Sequence, residues 1–158
     1  MIFTIKSFLF RRLVVCCVIL SFFFHTNKSI GQKSIGWDIL ADITFEETFD
    51  EEEDAYWLAP SFGDVVKSYE NQVVVVEGYL IPIDVAENIY LLSKYPYSAC
   101  FFCGGAGPES IVELQLEKRA KGRGMDDRVR LQGRLVLNTA DFDHFNYILK
   151  AALFLNGD

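Results

Sequence analysis

The residues with the most chemical scope lie in one short block, Cys100, Phe101, Phe102, Cys103, Gly104, Gly105, Ala106, Gly107, Pro108, Glu109 and Ser110. Two thiols at CxxC spacing can share a metal ion, cycle between dithiol and disulfide, or pack as small apolar side chains. The glycines and the proline after Cys103 stop a helix from continuing, so the block lacks the helix N-terminus that lowers a redox-active thiol's pKa. A zinc site asks for about four donors. Beyond residue 31 the chain offers Cys100, Cys103 and a single histidine, His144, so a carboxylate or water must complete the set. Glu109, directly after the turn, and Asp141 or Asp143, beside His144, are the candidates, and the arrangement requires the C-terminal segment to pack on the glycine turn. The competing expectations are a disulfide, or two buried thiols fixing a tight turn whose glycines take positive φ, with His144 a polar surface residue. The Gly104 to Gly107 run lacks the GK[ST] ending of a P-loop. With one histidine and no nucleophile-elbow serine, a hydrolytic triad has little material.

The elements that must position this block read as mostly β. Val73 to Pro82 and Arg128 to Leu137 are long β-rich runs, each with one internal glycine, Gly78 and Gly133. A mid-strand glycine weakens pairing, so these positions predict bulges or sharp bends that let one strand serve two sides of a small barrel. Ile89 to Leu92 and Ile111 to Leu116 are shorter strands; the second alternates, except that Ile111 is apolar where the period asks for a polar residue. Residues 118–127 read as a hairpin loop with solvated basic tips. Trp37 to Phe49 reads as a strand and Pro60 to Tyr69 as a short helix. Phe142, Phe145, Ile148, Leu149, Leu153 and Phe154, spaced mostly by three or four, predict an amphipathic C-terminal helix across one end of the sheet. The expected fold class is mainly β (α+β): a small, OB-like, partly open β-barrel of about five strands with flanking helices.

The first 31 residues read as a secretory signal: Lys6, Arg11 and Arg12 precede an apolar run from Leu13 to Phe24, with small residues before Gln32. An uncleaved N-terminal membrane anchor is the alternative. The expected organisation is a signal peptide over 1–31, a linker and acidic segment over 32–56, and the barrel over 57–158. Removing the leader leaves 11 basic against 22 acidic residues, a net charge of −11. That surface opposes nucleic-acid binding, whose affinity rests on attraction to phosphates. The acidic cluster between Glu46 and Asp54 has no calcium-loop glycine punctuation and reads as a solvated loop. Cys16 and Cys17 go with the leader, and in an oxidising compartment Cys100 and Cys103 can pair only with each other within the chain.

The CFFCGGAGPES block, preceded by GYLIP and followed by GRLVLN and DFDHFNYIL, resembles a family of small uncharacterised exported proteins from the Bacteroidetes. More distantly it is similar to a bacterial domain of unknown function encoded near zinc-linked ABC transporters. Where those distant relatives carry a cysteine and a histidine before a proline-rich run, this chain has Cys103 and glycines. The resemblance implies an exported OB-like barrel with a link to metal handling, and no catalytic residue comes with it. The expected function is therefore an exported, periplasmic or extracellular accessory protein. It would bind zinc through Cys100 and Cys103, with His144 and Glu109, and serve a transporter component or another envelope protein. The alternatives are a partner-binding module whose CxxC is a disulfide and, third, a thiol oxidoreductase.

Overall fold

The structure, a computed structural model, describes residues 33–51 and 54–155. The leader read over 1–31 and part of the acidic segment lie outside the described residues. Among the described residues there are eight strands: β1 (Lys33–Ser34), β2 (Ile43–Asp50), β3 (Ala55–Phe62), β4 (Val73–Asp84), β5 (Ile89–Ser93), β6 (Ile111–Leu116), β7 (Arg128–Leu137) and β8 (Tyr147–Phe154). Two four-residue helices, α1 (Trp37–Leu40) and α2 (Asp64–Lys67), precede the barrel strands. Among the described residues no helix is long and apolar enough to cross a membrane.

Strands β4, β5, β6, β8 and β7 hydrogen-bond in that order, and β4 also pairs with β7, which closes a five-stranded barrel. The barrel is thus closed rather than partly open. Closure is possible because β4 changes partner along its length. Val73 to Tyr79 pair with β7, whereas Tyr79 to Asp84 pair with β5. The handover falls at Tyr79, and at Gly78 just before it a Cβ would sit 2.5 Å from the Ser93 carbonyl oxygen and 3.0 Å from the Trp37 ring. The Trp37 indole N–H donates to the Glu77 carbonyl at 2.8 Å and fixes this crowded point.

The interior holds Val74, Val76, Leu80, Tyr90, Leu92, Val112, Leu131, Leu135 and Leu149, all essentially inaccessible. Burying each such side chain contributes on the order of 1.5 to 3 kcal/mol. On the outside of the β4–β5–β6 corner a second cluster forms from Ile81, Leu91 and Ile111. These residues alternate with the interior-facing Leu80, Leu92 and Val112, so the strands are apolar on both faces. This accounts for Ile111, the residue out of phase in the sequence pattern.

The C-terminal segment is a strand, not the helix its spacing suggested. Strand β8 runs parallel to β6 and antiparallel to β7. Its register slips against both neighbours around Lys150 and Ala152, and Ala151 takes φ 50. A bulge shifts the phase of a period-2 pattern by one residue, so the buried Leu149 and Ala152 stand three apart and imitate a helical repeat. Gly133 faces this bulge, with a hypothetical Cβ 2.7 Å from Leu149 Cγ and 2.9 Å from the Lys150 carbonyl oxygen. Because β8 lies between β6 and β7, residues 118–127 cross over rather than form a hairpin.

Trp37 to Leu40 are helical, and the strand expected there begins at Ile43. Residues 60–62 finish β3, and Gly63 then shortens the expected 60–69 helix to Asp64–Lys67. The Asp42 carboxylate occupies the space beside Gly63 and accepts the Val65 and Val66 amides at 2.9 and 3.1 Å, capping α2 from another segment. The segment read as a linker is folded with the rest: β1 adds in parallel to β4, and β2 pairs with β3 along its whole length.

Candidate functional site

The CxxC block is an excursion between β5 and β6, which are paired up to Ser93 and Ile111. Lys94 N–H donates to the Ser110 carbonyl at 3.0 Å and closes the neck of the excursion. Three single 3₁₀ turns, Tyr97–Ala99, Phe101–Cys103 and Pro108–Ser110, carry the chain around it. Gly104, at φ 71, ends the second turn in the left-handed region. Gly105 is there for space, since a Cβ would lie 2.8 Å from the Ala99 carbonyl oxygen. The Cys103 and Gly105 amides both donate to the Cys100 carbonyl, at 3.1 and 3.3 Å.

The two cysteines have opposite environments. Cys100 is fully buried among Ile81, Leu91 and Ile111, with Phe101 and Phe145 packed around the cluster. It anchors the turn to the outer core. Cys103 is exposed and its thiol donates to the Tyr97 carbonyl at 3.1 Å. Both thiols are free.

His144 sits in the 138–146 loop, which Asn138 organises. The Asn138 side-chain amide donates to the carbonyls of Asp141 and His144, and its oxygen accepts the Asp141 amide. His144 Nδ1–H donates to the Glu113 carboxylate of β6, 2.9 Å from both oxygens. The same carboxylate accepts the Phe145 amide at 3.3 Å and a Gln115 side-chain N–H at 3.2 Å. The hydrogen bond with Glu113, and then its charge, raise the His144 pKa above the usual 6.5; burial opposes this, and Asp141 and Asp143 add smaller upward contributions. Glu113 was not among the residues singled out from sequence. Its one signal was a carboxylate on the polar face of an alternating strand, next on that face to the out-of-phase Ile111.

The C-terminal loop does pack against the CxxC turn, through aromatic rather than polar contact. The Phe102 ring lies 6.2 Å from Phe145 and 5.6 Å from Phe101, in edge-to-face arrangements. Glu109 folds over Gly107; nearby, burial first and then the charges of Asp42 and Glu109 push the Tyr147 phenol's pKa up, and its hydroxyl donates to the Leu40 carbonyl at 2.6 Å. Among the described residues no three His, Cys, Asp or Glu side chains converge as metal ligands. The set Cys100, Cys103, His144 and Glu109 is therefore not assembled around one point. Between the turn and the loop lies an open groove of about 580 Å³, with Ile89, Leu91, Phe102 and Phe145 on its apolar side and Glu113 and His144 on its polar side.

No protein-family model matches the chain, and no curated protein matches it. Among solved structures, it is similar to a DUF3299 family protein (PA4066) from Pseudomonas aeruginosa PAO1, with a TM-score of 0.50 and 14% sequence identity. The match covers 81% of this chain and 99% of that one. The likeness is one of fold alone.

Proposed function

We propose that the protein is an exported accessory module of the cell envelope that acts by binding, with the CxxC excursion and the adjoining groove as its contact surface. One observation carries this reading. The groove joins an apolar side, Phe102, Ile89 and Phe145, to a fixed polar pair, His144 and Glu113, the combination expected of a ligand or partner site. The leader-like residues 1–31 support export, and the resemblance of the CxxC block supports a transporter component or another envelope protein as partner. A photoreactive residue in place of Phe102, introduced in cells, should trap one dominant protein. Ile89→Glu should lower that yield by about tenfold, as expected when a contact-centre residue is lost. Equal trapping from a probe at Ser68, or trapping insensitive to Ile89→Glu, would remove the groove from the argument.

Zinc binding is the second reading, favoured by the exposure of the Cys103 thiol and the His144 imidazole on adjoining segments. Because no three such donors converge among the described residues, this form needs the CxxC turn and the 138–146 loop to close together so that Cys103, His144 and a carboxylate meet, with Cys100 as packing. The reduced protein, purified without a metal-affinity tag, should take up zinc with release of a proton from the thiol. Cys103→Ser should abolish uptake. Cys100→Ser should leave uptake intact while destabilising the fold by about 1 to 3 kcal/mol, because it buries a hydroxyl in an apolar cluster. Absence of uptake by the reduced wild-type protein leaves partner binding alone.

A further inference from the structure

Elsewhere on the barrel, residues between 118 and 123 and the end of β8 line a cleft of about 810 Å³. Lys118, Arg119, Lys121 and Arg123 line it together with Leu153 and Phe154. In a chain of net charge −7 this is a local concentration of the opposite sign.

The loop is tied down. The Ala120 amide donates to the Asn88 side-chain oxygen at 3.0 Å, and the Glu117 amide donates to the Ala152 carbonyl at 3.0 Å. The Arg119 guanidinium donates to the carbonyls of Val85 and Ala86, at 3.4 and 2.7 Å. Two of the loop's acids are engaged by backbone amides. Asp126 accepts from Tyr97 at 2.7 Å and Asp127 from Gly124 at 2.8 Å. Among the described residues, Lys118, Arg119 and Lys121 have no carboxylate partner. The Arg123 guanidinium lies 4.9 Å from the centre of the Phe154 ring, joining the cationic rim to the apolar wall.

We propose that this cleft binds a phosphomonoester with an apolar body, the phosphate against Lys118 and Lys121 and the body along Leu153 and Phe154. Cations gathered in one concavity focus positive potential there, and a dianion uses more of it than a single carboxylate does. The acidic remainder of the surface acts from further away and is screened beyond roughly 8 Å at physiological ionic strength, so the contact cations decide the local sign.

The test is fluorescence titration of the full-length protein with 1-naphthyl phosphate, alongside neutral 1-naphthol and inorganic phosphate. The ester should bind saturably and at least about tenfold more tightly than either fragment, a gap of roughly 1.4 kcal/mol. The exposed pair Lys118→Gln/Lys121→Gln should remove that advantage without changing naphthol affinity or thermal stability. Vesicles containing phosphatidate separate the sources of the ester. Binding of both vesicles and naphthyl phosphate supports the site with a lipid monoester as ligand, and binding of naphthyl phosphate alone supports it with a soluble one. Equal affinity for ester and naphthol, an ester affinity unchanged in the lysine variant, or vesicle binding with none of the soluble ester would overturn the proposal.

Discussion

At the scale of single residues, the site is governed by a difference in burial between two cysteines and by one carboxylate. Cys100 belongs to a packing cluster, whereas Cys103 and His144 meet solvent. Glu113 holds His144 and, through the Phe145 amide, the loop that carries it. Since Glu113 raises the His144 pKa, the histidine's contribution to stability is fully present below the ordinary value of about 6.5 and is lost as pH rises through the higher folded value. Titration by NMR should place His144 above 6.5 in the wild type. Glu113→Gln should lower it by more than Asp141→Asn does. An unchanged His144 titration in Glu113→Gln would mean that the ion pair does not persist in solution.

At the scale of elements, the barrel depends on two glycines whose places are taken up by neighbouring atoms. Gly78→Val would drive a side chain into the Ser93 carbonyl and the Trp37 ring, and Gly133→Val into Leu149 and the β8 bulge. Each should destabilise the protein by about 1 to 3 kcal/mol, the range for overpacked positions. Gly124→Ala, with no heavy atom within 4 Å of the added methyl, is the matched control and should leave the melting temperature nearly unchanged. Unaltered melting in both valine variants would remove the close-contact argument. These glycines were legible in the sequence, because a strand pattern interrupted once has few physical explanations. The C-terminal strand was not, since the bulge at Ala151 replaces the alternation by a three-residue step. The candidate site was legible in part: the CxxC turn could be read from residue type, whereas its contact with the C-terminal segment entered only as a condition of the zinc arrangement. The pairing of His144 with Glu113 depends on β8 lying beside β6, and no local pattern encodes that parallel neighbour.

At the scale of the whole molecule, stability should be uneven. The barrel strands are paired on both sides and enclose most of the buried apolar residues. The β2–β3 ribbon is paired only with itself and exposes Phe49, Tyr56 and Leu58. Amide exchange follows such differences in burial and pairing. Amides of β4, β7 and β8 should therefore exchange slowest, and those of residues 46–50 and 55–56 in the ribbon should exchange faster by about two orders of magnitude or more, equivalent to roughly 2.7 kcal/mol. Equal protection across ribbon and barrel would show that the two open as one unit.

The placement of the two tryptophans supplies an optical handle on that division. Trp37 lies on Gly78 beside the partner change of β4, with its N–H on the Glu77 carbonyl. Trp57 stands on the ribbon, 4.6 Å edge-on to Phe142 of the histidine-bearing loop. The intrinsic fluorescence is consequently the sum of two reporters in unlike surroundings. A variant keeping only Trp37 emits from the closure of the barrel, and one keeping only Trp57 emits from the contact between ribbon and loop. An occupant of the CxxC groove that moves this loop would change the second spectrum while leaving the first in place.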